Sequence, residues 1–293
     1  MGTSSSYGGP GDKTPLLPSW AMPPDGTPQT PEQPTQPTPN DGPGTDTPPA
    51  ENAPSDLPHQ SVSAPEVTNR WTSARRSFTR AISTRTSTGY RRAASRYVRA
   101  IGGAGGASNA ATGGKKATTA FGGFISSAAN SGFHSALASV GLTSVVGRDV
   151  NEVLAAIVNA LAPDGATKEE VAARKAIGDT LEQLYESFLD EGRDLTALDS
   201  MTREDVEAAI ASCVEAYIFN RWIGDLGVKI EERAISAASA VVLEREMRLF
   251  IREAVQLDMG QEDVLSLDWQ GPDGQRFVEN IYCDAYSLFG DEA

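Results

Sequence analysis

Two cysteines and two histidines are all that 293 residues offer to thiol or transition-metal chemistry. Cys213 and Cys283 form no C-x-x-C pair, and no H-E-x-x-H, G-x-S-x-G or D-x-D-x-D-G phrase occurs. Motif-bearing zinc proteases, serine hydrolases and EF-hand loops are thereby excluded, and neither a metal nor a cofactor is expected. No run approaches the ~18 apolar residues of a membrane span. The first residues also carry neither the basic start nor the apolar core of a secretory signal. Two thiols in a chain long enough to fold without staples then point to a reduced cytoplasm. Strand signals are nearly absent, with 264–269 the one candidate.

Other absences are regional. Residues 67–140 contain no acid, against nine arginines and two lysines, a net of +11. Residues 1–66 hold one base and eight acids, and residues 141–293 hold 13 bases and 31 acids. Such asymmetry assigns separate tasks to the parts of one chain. Sixteen of the eighteen prolines fall in residues 1–66, and aliphatic side chains almost vanish between Pro23 and Pro65. Nothing there offsets the entropy of ordering. Residues 21–69 therefore read as a disordered, partly polyproline-II tether, with a reach of ~40 Å as a coil and ~150 Å if extended.

The tip before the tether, residues 1–20, has a pattern of its own. Gly2 follows the initiator methionine, and so small a side chain normally lets the methionine be trimmed, leaving a free glycine amine. Thr3, Ser4, Ser5 and Ser6 carry only hydroxyls, Tyr7 is the first large group, and Gly8-Gly9-Pro10 is pliable backbone followed by a fixed φ. Leu16, Leu17, Pro18 and Trp20 then form an apolar hook. A slim tip with a hook can be threaded into a partner's pocket; the plainer reading is a frayed terminus. Met1-Gly2 with Ser6 also fits the short N-myristoylation template.

Residues 70–120 form a basic helical segment. Tyr90, Ala94, Tyr97, Val98 and Ile101 share one helix face, with Arg92, Arg96 and Arg99 opposite; Trp71, Phe78 and Ile82 recur at helical spacing beside Arg75, Arg76 and Arg80. Residues 83–89 read as a flexible break before Arg91. Arginine without lysine favours forked recognition of phosphate or carboxylate. Three uses follow: a nucleic-acid backbone, an acidic protein partner, or this chain's own acidic domain. The eight glycines of Gly102–Gly123 fail the phosphate-loop register, because Asn109 and Lys116 stand where glycine and Ser/Thr are needed. That stretch reads as a linker whose small residues let helices approach.

Residues 121–293 read as an acidic, all-α bundle of five or six helices. Val150, Val153, Leu154, Ile157, Val158 and Leu161 keep helical rhythm, and Thr167 with Glu170 makes a capping box before Ile177, Leu181, Leu184, Tyr185 and Phe188. Further helices are predicted from Thr202, over 226–257 and over 275–288. The adjacent acids Glu169-Glu170, Glu231-Glu232 and Glu262-Asp263 diverge by ~100° on a helix. They read as solvated faces rather than metal clamps, so a non-enzymatic chain is expected.

The residues 1–10, the hook 15–20, Arg75-Arg76-Ser77-Phe78-Thr79-Arg80 and Arg96-Tyr97-Val98-Arg99 together resemble the QatB family, accessory proteins of the four-gene Qat anti-phage system of bacteria. The resemblance is closest over residues 2–20 and 74–106, looser through the helical domain, and absent in the tether. It implies three partner types: an ATPase (QatA type), a QueC-like enzyme of the deazaguanine pathway (QatC type) and a TatD-like nuclease (QatD type). QueC-like enzymes activate a carboxylate with ATP and pass it to an amine. The resemblance therefore implies that Gly2 accepts a deazaguanine through an amide, with residues 3–20 gripped by that partner. A nucleic-acid-sensing adaptor using the arginine block is the alternative.

Overall fold

At Thr167 the capping box forms as its spacing requires. The Thr167 hydroxyl accepts from the Glu170 N–H, and the Glu170 carboxylate accepts from the Thr167 N–H. The structure, a computed structural model, describes residues 64–226, 237–260 and 262–291. Over these the chain is all-α, and no strand occurs among the described residues. The helices are α1 (Ala64–Thr84), α2 (Ser87–Ile101), α3 (Gly103–Ala110), α4 (Thr112–Ser131), α5 (Phe133–Ser139), α6 (Val150–Leu161), α7 (Lys168–Asp190), α8 (Arg203–Leu226), α9 (Ala237–Ala254) and α10 (Pro272–Gly290). Short 3-10 turns occupy Thr143–Val145 and Leu195–Ser200.

The apolar faces read from the sequence converge on one core that runs from Phe78 to Phe289. Its aromatic centre is Trp222 of α8, whose ring meets Phe78 of α1 and Phe289 of α10 edge-on, each at 5.1 Å between centroids. Tyr97 of α2 joins through Phe289, and Tyr90 through Phe250 of α9. The basic helices thus belong to the same hydrophobic core as the acidic ones. Burial of such rings is the main stabilising contribution available to a chain with no disulfide among its described residues.

A second node forms where α4 crosses α8 and α10. Gly114 lies so close to them that a Cβ there would sit 2.6 Å from the Tyr217 ring and 2.8 Å from the Tyr282 hydroxyl. About two turns further on, Gly122 lies under Trp269, whose ring would be 2.4 Å from a Cβ. The Trp269 indole N–H donates to Ser126 Oγ and to the Val264 carbonyl, which seals the 264–269 segment onto α4. That segment is a turn and not a strand, because its polar backbone is satisfied by α4 side chains and by Asp263 instead of a ladder.

Several other expectations change. Residues 102–123 are helical (α3 and α4) rather than a linker, although the close approach of helices does occur. The tether was expected to run to residue 69, yet α1 begins at Ala64; Pro65 is tolerated because first-turn N–H groups have no helical partner. The flexible break expected at 83–89 reduces to Arg85 and Thr86, with Arg85 at φ +50° and the Thr86 hydroxyl capping α2 through the Gly89 N–H. The helix expected over 226–257 is described as Ala237–Ala254 only. Residues 1–63 and 227–236 lie outside the described residues, and with them Gly2, Thr3, Ser4, Ser5, Ser6, Tyr7, Gly8, Gly9, Pro10, Leu16, Leu17, Pro18, Trp20, His59 and the Glu231-Glu232 pair.

Candidate functional site

Helices α1 and α2 fold back on each other across a two-residue connection. The pairing is antiparallel, since an Arg96 guanidinium near the end of α2 donates to Ser73 Oγ near the start of α1. Ala74, Phe78 and Ala81 of α1 and Tyr90, Ala93, Ala94, Tyr97 and Val98 of α2 are buried, which fixes the rotation of both helices. Tyr97 locks the pair to the body, its hydroxyl donating to Asp225 Oδ2 of α8 at 2.9 Å; Arg221 Nε reaches the same oxygen at 3.0 Å.

With the apolar stripes turned inward, the arginines must face solvent. Asn69, Thr72, Ser73, Arg76, Ser77 and Arg80 of α1 and Arg92 and Arg96 of α2 line a groove of about 440 Å³. The α1 residues follow the i, i+3, i+4, i+7, i+8, i+11 rhythm, so they form one continuous wall. The four arginines are exposed. Among the described residues, Arg76, Arg80 and Arg92 make no side-chain hydrogen bond or ion pair.

Of the seven arginines predicted as a basic surface, the structure brings together Arg76, Arg80, Arg92 and Arg96. Arg75, Arg91 and Arg99 lie outside the lining. Sequence reasoning missed the neutral donors Asn69, Thr72, Ser73 and Ser77, although their spacing relative to Arg76 and Arg80 carried the signal. It also missed Arg85, which is spent on the chain's own acidic part. Its Nε and Nη2 donate in forked geometry to Glu246 of α9, at 2.8 and 2.6 Å. That contact holds the Glu246 carboxyl below the usual carboxylate range. Burial, with Glu246 alongside, pushes the Tyr90 phenol up to about 12.

The acidic bundle holds its own polar groups in structural roles. Glu169 is not a solvated face: its carboxylate accepts from the Gly113 and Gly114 N–H groups at 2.9 and 2.8 Å and from the Tyr217 hydroxyl at 2.8 Å, capping the start of α4. Asp263 accepts from the Leu265 N–H and the Ser266 hydroxyl. Burial pushes the Cys213 thiol up to about 12, so it is protonated and inert at neutral pH. His134 is exposed on α5. Among the described residues no group of His, Cys, Asp and Glu is placed to hold a metal ion, and no helix is long and apolar enough to cross a membrane.

One carboxyl stands apart. Glu215 lines a small cavity with Ser212, Phe219, Arg248 and Arg252. Burial pushes it up to about 7, while Arg252, 3.8 Å away, pulls it back only part of the way. A value raised in the folded state means stabilisation that is complete below about pH 4.5 and lost as pH rises through about 7. Glu215→Gln is therefore expected to stabilise the protein at pH 8 by on the order of 2 kcal/mol after allowing for partial solvent contact, seen as a higher thermal midpoint, and to leave stability unchanged at pH 4. Melting curves at the two pH values check this.

The fold and the groove define an all-α protein that presents an arginine-lined, anion-complementary surface on a net-acidic chain. Residues 102–289 match the family described as Qat anti-phage system associated protein QatB. The chain belongs to this family and is a component of the Qat anti-phage system, which implies partner proteins within that system. The match covers α3 to α10; the groove and residues 2–20 precede it. No curated protein and no solved structure matches the chain.

Proposed function

We propose that the chain is a non-enzymatic adaptor of its defence system whose N-terminal glycine is gripped and modified by a QueC-like partner. After removal of Met1, Thr3 to Pro10 enter the partner's active site, while Leu16, Leu17, Pro18 and Trp20 dock beside it. The partner activates the carboxylate of a deazaguanine with ATP as an acyl-adenylate, releasing pyrophosphate. The Gly2 amine attacks that carbonyl; the amide forms, AMP leaves, and one amine proton passes to solvent. The remainder of the chain serves as scaffold for the system's other members, the ATPase and the TatD-like nuclease.

One observation carries this reading: a family member of this defence system opens with a glycine followed by a run of small, hydroxyl-bearing side chains and an apolar hook. A nucleophilic amine needs such an unhindered approach to a narrow site. Plaque assays on cells carrying the whole system check it. Gly2→Pro, which replaces the primary amine by a hindered secondary one, is expected to abolish protection, whereas Ser5→Ala is expected to retain it. Full protection from Gly2→Pro contradicts the proposal. In the same assay Glu215→Gln is expected to protect fully; loss of protection by a folded Glu215→Gln protein contradicts the non-enzymatic reading.

A further inference from the structure

We infer that the groove between α1 and α2 holds a phosphodiester strand of nucleic acid by its backbone, without reading its bases. The proposal does not depend on the chemistry of Gly2. The α1 wall from Asn69 to Arg80 spans eleven residues of rise, about 16 Å. That makes the site a trough rather than a compact pocket, suited to a linear polyanion more than to a single small anion. Two arginines project from each wall, Arg76 and Arg80 facing Arg92 and Arg96. Thr72, Ser73 and Ser77 add neutral donors between them.

The composition of the lining separates phosphate from an acidic protein partner. Stable protein interfaces centre on a buried aromatic or aliphatic anchor, and no apolar side chain lines this trough. Guanidinium forks interspersed with hydroxyl and amide donors are the groups that contact phosphate oxygens in nucleic-acid complexes. No aromatic ring lines the groove to stack on a base. Trp71 on the same helix is turned to the core, edge-on to Tyr97 at 6.1 Å. Binding is therefore insensitive to sequence. Residues 67–140 contain no acid, so the one carboxylate carried by these two helices is that of Glu66 in the first turn of α1, ahead of the residues that line the groove.

The test is fluorescence anisotropy of labelled 20-nucleotide single strands, of two unrelated sequences, titrated with the full-length protein at 50 and 200 mM salt. Four phosphate contacts predict a loss of about 50-fold in affinity across that range, equal for both sequences. Arg76→Gln/Arg80→Gln/Arg92→Gln is expected to weaken binding at least tenfold at 50 mM and to flatten the salt slope by about two. Arg75→Gln/Arg91→Gln, a control outside the groove, is expected to change affinity less than threefold. All five residues are exposed, and matching circular-dichroism melts confirm folding. Saturable binding with these responses supports the site. Absent binding at 50 mM salt, similar losses in both variants, or capture of a polyglutamate peptide in preference to the strands would each overturn it.

Discussion

Trp222→Ala is expected to destabilise the protein by about 3–5 kcal/mol, the largest effect of any single truncation in the core. Trp222 is fully buried, and its ring is met by Phe78, Phe250 and Phe289 from three other helices. Removing it opens a cavity that no single neighbour can fill, and it releases α1 from α8. Trp222→Phe is expected to behave differently. The indole N–H is buried without a hydrogen-bond partner among the described residues, and burying an unpaired donor costs about 1–3 kcal/mol. Phenylalanine removes that donor while losing only part of the volume, so its net cost is expected to stay below about 1.5 kcal/mol. Urea denaturation of the three proteins gives both values. Equal losses for Ala and Phe would show that the node depends on the indole N–H rather than on ring packing.

Gly114→Ala and Gly122→Ala are each expected to cost about 2–3 kcal/mol, although alanine is the better helix former. At Gly114 the new methyl meets the Tyr217 and Tyr282 side chains, and neither can retreat. Both are buried, Tyr217 donates to Glu169, and Tyr282 is hydrogen-bonded to Thr118 at 3.0 Å. At Gly122 it meets the Trp269 ring, which Ser126 and Val264 hold in place. Gly224 supplies the control: it is an exposed helical glycine with open space where a Cβ would go. Gly224→Ala is therefore expected to stabilise by roughly 0.5–1 kcal/mol. If all three substitutions stabilise, α4 does not pack as closely as described.

These two nodes show what could be read from the sequence and what could not. Helical periodicity located the buried faces of α2, α6 and α7 because each repeats over several turns, and the Thr167 capping box placed the start of α7 to the residue. The partners were not legible. Trp222 carries no local sign that Phe78 and Phe289 will reach it from distant positions. Adjacent acids suggested a solvated face at Glu169, because its donors, the Gly113 and Gly114 N–H groups, lie 55 residues or more away in sequence. The glycine-rich stretch looked like a linker for a related reason: glycine is a poor helix former alone, and only the rings of Tyr217 and Trp269 explain why it is needed inside α4.

The groove was half visible. Arginine spacing gave the exposed faces of α1 and α2, and no acid is interspersed among the arginines from Arg70 to Arg99. It took the antiparallel closure at Arg85–Thr86 to bring Arg76 and Arg80 opposite Arg92 and Arg96, and to exclude Arg75, Arg91 and Arg99. Long-range pairing also diverted Arg85 to Glu246, the clearest case of the chain's acidic part satisfying its basic part.

The proposed adaptor role rests on a terminal amine that a partner enzyme caps. Intact-mass and N-terminal peptide spectra of the protein, purified after expression with and without its QueC-like partner, address this directly. A mass increment confined to the Gly2-containing peptide, present only with the partner and absent from Gly2→Pro, is the predicted result. An unmodified N-terminal peptide from cells in which the complete system is protecting against phage would contradict it.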